Sequence, residues 1–83
     1  MSQLERVIEV MSDGKERTLR DIEHEIWKRY HVGDTQAAIS ARLREYGPLA
    51  EHGYTKESTV KTINDVRVWF YRLTHIQHSG VAA

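Results

Sequence analysis

Cysteine is absent from the 83-residue chain, which excludes disulfides, thiolate nucleophiles, cysteine-ligated zinc and iron–sulfur clusters. Proline and phenylalanine each occur once, and the five glycines stand singly, so no glycine-rich phosphate loop is present. The longest apolar run, Val68-Trp69-Phe70-Tyr71, falls far short of the ~20 residues that a membrane span needs. Charge of one sign is lacking too: 12 Lys+Arg oppose 12 Asp+Glu, for a formal net charge of +0. Met1–Arg6 has no apolar stretch and carries Glu5 early, which predicts no secretory leader and a cytoplasmic location. No Ser-His-Asp spacing or paired-carboxylate pattern occurs, so neither an enzyme nor a cofactor is expected. A chain this short buries only about 60% of its unfolded surface, enough for one marginally stable domain.

What is present is periodicity. Leu4, Val7, Ile8 and Met11 fall at i, i+3, i+4 and i+7, predicting a helix over about 3–11 that Gly14 closes. Thr18 caps a second helix, over about 19–30, with Leu19, Ile22, Ile26, Trp27 and Tyr30 on its inner face. His31-Val32-Gly33-Asp34 is a four-residue break, and Asp34 or Thr35 can cap the next helix. This third helix spans about 35–46, with Ile39, Leu43 and Tyr46 inward and three alanines and a serine making the rest smooth; Gly47-Pro48 ends it. From Gly53 the pattern turns β-branched. Residues 54–62 and 66–73 read as two strands around a turn at Asn64-Asp65. Residues 75–83 are expected to be a flexible tail beyond a 1–74 domain.

This order, helix, helix, four-residue turn, small-surfaced helix and closing hairpin, resembles the winged helix-turn-helix family of DNA-binding domains. The likeness rests on residues 19–30, the 31–34 turn, the run Thr35-Gln36-Ala37-Ala38-Ile39-Ser40-Ala41-Arg42-Leu43-Arg44 and the hairpin ending at Tyr71-Arg72-Leu73. It covers roughly residues 3–73 and is closest in size to the small stand-alone proteins of bacteria and phages. The resemblance implies a mainly α fold, three helices plus a C-terminal β-hairpin wing. It also implies double-stranded DNA as partner, and a role as a small transcriptional regulator or DNA-architectural factor.

A helix entering a major groove about 12 Å wide needs small or hydrogen-bonding side chains on its outer face. Thr35, Gln36, Ala37, Ser40, Ala41, Arg42 and Arg44 are the candidates there. Gln36 suits adenine, Ala37 a thymine methyl and Arg44 guanine or phosphate. On the hairpin, Lys56, Lys61, Asn64 and Arg67 suit backbone or minor groove. Arg72, nearer the base, is expected to pair with a helix carboxylate. Residues 1–34 hold six basic and eight acidic side chains, a balance of −2, and residues 35–83 six basic and four acidic, a balance of +2. The zero total therefore hides a mildly positive recognition half. Alternation puts Trp69, Tyr71 and Leu73 on one hairpin face and Val68 and Phe70 on the other. Two apolar faces predict a further contact, with a second copy in a homodimer or with another protein. The rival reading is a winged-helix protein-interaction module, an adaptor or inhibitor of a host protein. His75 and His78 are too few for a metal site, and no metal is expected.

Overall fold

The first two helices start where a hydroxyl and a carboxylate stand three residues apart. In the computed structural model, which describes residues 1–76, the Ser2 hydroxyl accepts from the Glu5 N–H and the Glu5 carboxylate accepts from the Ser2 N–H. Helix α1 (Gln3–Met11) begins there. Thr18 and Asp21 make the same exchange ahead of α2 (Leu19–Tyr30). Thr35 caps α3 (Gln36–Arg44), accepting from the Ala38 N–H at 3.1 Å. A short α4 (Tyr46–Glu51) leads into antiparallel strands β1 (Tyr54–Ile63) and β2 (Val66–His75). The result is a small mixed α/β domain of four helices and a C-terminal two-stranded hairpin, and no described helix is long and apolar enough to cross a membrane.

The first two helices have the expected bounds, whereas the third does not. It stops at Arg44, and Glu45 breaks it with an extended backbone (φ −87°, ψ 93°). Gly47-Pro48 then lies in the first turn of a fourth helix rather than ending the third. Proline is tolerated there because its missing N–H has no intrahelical partner to lose. With the break ahead of it, Tyr46 leaves the α3 stripe and is 65% exposed instead of buried. Trp27 is likewise 55% exposed, not on the inner face. Ile22 and Ile26 define that face, and Trp27, rotated about 100° from Ile26, meets His31 edge-on, with centroids 5.8 Å apart. His31 itself closes α2 in the left-handed conformation (φ 56°).

The buried core is Val7, Ile8, Val10 and Met11 of α1, Ile22 and Ile26 of α2, Ile39 and Leu43 of α3, Leu49 of α4 and Leu73 of β2. Asp34 is buried as well, 6% exposed, and caps nothing. It accepts from Arg6 Nε at 2.8 Å, Arg6 Nη2 at 2.9 Å and Gln3 Nε2 at 3.0 Å, clamping the α2–α3 turn to α1. The Arg6 hydrogen bonds hold the Asp34 carboxyl below the usual carboxylate range.

In the hairpin, Ile63 faces Val66 across Asn64 and Asp65, whose positive φ values (51° and 65°) suit the tight two-residue turn. β2 runs through His75, one residue into the segment expected as tail; His78 lies outside the described residues. Tyr71 pairs on its other side with Arg17, each N–H donating to the other's carbonyl at 2.8 Å. The Arg17 guanidinium forks onto Asp13, with both N–O distances 2.8 Å, and holds that carboxyl well below its usual range. The segment between α1 and α2 thus acts as a one-residue third strand.

Stability should respond to two changes in distinct ways. Leu73→Ala should cost about 3 kcal/mol in urea unfolding, because it opens a cavity where β2 meets the helices. Since the folded Asp34 carboxyl titrates below its unfolded value, its contribution is complete above about pH 4 and disappears as pH falls through the lower folded value. Asp34→Asn should therefore be less stable than the parent at pH 7 and lose less stability on acidification, as read by thermal melts across pH.

Candidate nucleic-acid interface

Helix α3 packs on α1 and α2, α4 packs on β1, and β2 is held by α1 and α2. The side of α3 away from these contacts is exposed at both ends and half-buried in the middle. Gln36, Ser40 and Arg44 lie at i, i+4 and i+8, one row along that side. Thr35, Gln36, Ala37 and Arg44 are exposed as expected, while Ser40 and Ala41 are half-buried at mid-helix. The Thr35 hydroxyl is engaged in its cap, and Gln36 Nε2 donates to Glu23 Oε1 at 3.1 Å, so the amide is held toward α2.

Each end of this row opens into a concavity. At the N-terminal end a cleft of about 390 Å³ is lined by Thr18, Leu19, Arg20, Gln36, Val68, Trp69 and Tyr71. At the C-terminal end a smaller one of about 230 Å³ is lined by Leu43, Arg44, Tyr46, Leu49, Thr55 and Lys56. The structure thereby brings Gln36 to the hairpin through Arg20 and Trp69, and Arg44 to the hairpin through Lys56.

Cross-strand pairing sorts the wing candidates by face. Lys56 faces Leu73 and Thr62 faces Arg67, so Lys56 and Arg67 share the face of Tyr71 and Trp69. The Lys56 ammonium lies 5.9 Å from the Tyr71 ring centre. Lys61 is on the opposite face, with its ammonium 4.5 Å from the Phe70 ring centre and 3.1 Å from Glu16 Oε1. It braces β1 against the α1–α2 segment and is not grouped with the α3 row. Asn64 occupies the turn itself. Arg42 is half-buried, its Nε 3.2 Å from Glu45 Oε1 but without hydrogen-bond geometry. Arg72 pairs with Glu57 of β1 at 3.0 Å, not with a helix carboxylate.

Two residues of this face were not among the sequence candidates. Arg20 lies in the first turn of α2, exposed and beside Gln36. Trp69 shares the hairpin face of Leu73 and Tyr71, as alternation predicts, but is 51% exposed. That face buries Leu73 and half-buries Tyr71, whereas Trp69 faces the N-terminal ends of α2 and α3 only across the cleft and stays half in solvent. Among the described residues, Arg20, Arg44, Lys56 and Arg67 have no carboxylate within ion-pair distance. Many acidic groups are spent elsewhere: Asp13 on Arg17, Asp34 on Arg6, Glu16 on Lys61, Glu25 on Arg29 and Glu57 on Arg72. No three metal-ligating side chains converge among the described residues.

No protein-family model, curated protein or solved structure matches the chain.

Exposure of both indoles has a direct optical consequence. Acrylamide should quench the folded and urea-unfolded protein to similar extents, and Trp27→Phe and Trp69→Phe should each remove about half of the quenchable emission, since the chain has 2 tryptophans. A blue-shifted, shielded tryptophan signal would place one of them in the core.

Proposed function

We propose that this domain binds double-stranded DNA in the manner of a winged helix-turn-helix. Helix α3 enters the major groove and the β1–β2 hairpin lies on the flanking backbone. The observation that carries the reading is the sorting of charge: Arg20, Arg44, Lys56 and Arg67, free of ion pairs among the described residues, border the α3 row and the hairpin face beside it. Phosphate contacts require cations that are not already neutralised, and a groove-entering helix requires a slim exposed side. Exposed Ala37 and half-buried Ser40 and Ala41 keep that side low here, with exposed Gln36 and Arg44 as the base-reading ends. The one-residue strand at Arg17 supports the same reading, because it fixes the hairpin beside the helices. With about four phosphate contacts, one copy binds in the non-specific range of about 10⁻⁴–10⁻⁶ M. A regulator of this kind then works as a pair of copies or with a partner.

One observation favours the rival, a protein-interaction module: Ile63 and Val66 expose an apolar pair at the hairpin tip. Fluorescence anisotropy with a labelled random-sequence duplex separates the two. Binding should weaken roughly a hundredfold between 50 and 200 mM salt, and Arg44→Ala should lower the salt slope by about one. Gln36→Ala with Arg44→Ala should abolish sequence preference while the melting curve stays unchanged. No binding at about 50 μM protein and low salt, within the non-specific range, would sink the DNA reading.

A further inference from the structure

Trp69 stands in the wrong place for a structural tryptophan. It lies on the inner hairpin face, across a cleft from the N-terminal ends of α2 and α3, and among the described residues no aromatic ring or cation stacks on it, whereas Tyr71 has Lys56 and Phe70 has Lys61. The cleft it borders, about 390 Å³, is of the size that holds a small planar ligand. Its lining includes Arg20 and Gln36 and no acidic residue, although the Gln36 amide donates to Glu23 just outside it.

The backbone adds a second feature. Tyr71 exchanges both hydrogen bonds with Arg17, so its N–H and C=O point away from β1. Alternation along β2 aims the N–H and C=O of Trp69 the same way. Past Arg17 the chain turns into α2 at Leu19, and among the described residues no strand meets them. Thr18, Leu19 and Arg20 line the cleft on that side, so this edge of Trp69 opens into it. One residue thus offers an aromatic face together with an unused donor and acceptor.

Resting on the DNA-binding reading, we propose that this cleft takes an unpaired nucleobase of the bound DNA, stacked on the Trp69 indole. Bases inside a duplex present only their edges, because both faces are covered by neighbours; an indole face is useful only to a base that has left the stack. Arg20 in the lining and Arg67 two residues along the same hairpin face give the nucleotide's phosphates cations without a carboxylate partner. The cations favour an anionic ligand over a basic or purely apolar peptide, and the exposed indole, which can stack a base, favours a nucleotide over an acidic peptide. The domain would therefore prefer DNA at a junction between paired and unpaired strands.

A Trp27→Phe background makes Trp69 the only fluorophore of its kind. Three probes are titrated: a blunt duplex, the same duplex with a single-stranded overhang, and the single strand alone. The overhang duplex should quench Trp69 and bind about tenfold more tightly than the blunt one, within the range of one base–aromatic stack. Trp69→Ala, followed by anisotropy with labelled DNA, should bring the overhang and blunt duplexes to equal affinity, and Trp69→Phe should restore part of the preference. Equal affinity for blunt and overhang duplexes, unaffected by Trp69→Ala, overturns the proposal and leaves duplex binding standing. Single strand bound as tightly as the overhang duplex, with the same quenching, supports the stacked base and overturns the major-groove role of α3. No binding to any probe overturns both.

Discussion

Two hydrogen bonds between Arg17 and Tyr71 determine where the hairpin stands. A two-stranded ribbon is marginal alone and free to swing about its base. Here β2 is gripped from both sides at Tyr71, by β1 and by the α1–α2 segment. Each bond is worth about 1 kcal/mol net, yet their effect is geometric. They hold the inner hairpin face beside the exposed row of α3, so the clefts at the two ends of that row exist as surfaces. Ion pairs reinforce the same joint from two directions: Asp13 holds the Arg17 side chain and Glu16 holds Lys61. Buried Asp34 fixes the other variable, the angle between α2 and α3, by tying their turn to α1.

The charge balance gains its meaning from this geometry. A net charge of zero suggests indifference to polyanions, but the sum ignores which charges face each other. Several carboxylates are consumed in bracing the fold, and of the cations without a carboxylate partner among the described residues, Arg20, Arg44, Lys56 and Arg67 border the α3 row and the hairpin face, while Lys15 lies between α1 and α2. A modest local excess of free cations is enough for weak, salt-sensitive attraction to phosphates. It is too small for one copy to hold DNA tightly, which makes additional contacts, such as a base on Trp69, more consequential.

Much of this was legible in the sequence where the signals are local. Helix α1 was readable because Leu4, Val7, Ile8 and Met11 repeat with helical spacing, and the Thr18 cap and the Asn64-Asp65 turn are chemistry of adjacent residues. What escaped depends on distant parts of the chain. Asp34 looks like a cap until Arg6, 28 residues away, is brought to it. A single bridging residue such as Arg17 leaves no pattern at all. Helix α4 has no side-chain cap and carries a proline, so composition argued against it. For Trp69, alternation correctly gave the face but not how far along that face the core extends. That distance decided which residues belong to the candidate site: Arg20 and Trp69 enter it, Lys61 leaves it for the opposite face, and Arg42 withdraws beside Glu45.

The most direct measurement is amide chemical-shift mapping of the folded domain on adding duplex DNA at low salt. Shifts should concentrate in residues 35–44, at Arg20, and along Lys56, Arg67 and Trp69, with α1 and α4 nearly silent. Shifts confined to α1, α4 or the Lys61–Phe70 face, or none at all, would contradict an interface built from α3 and the inner face of the hairpin.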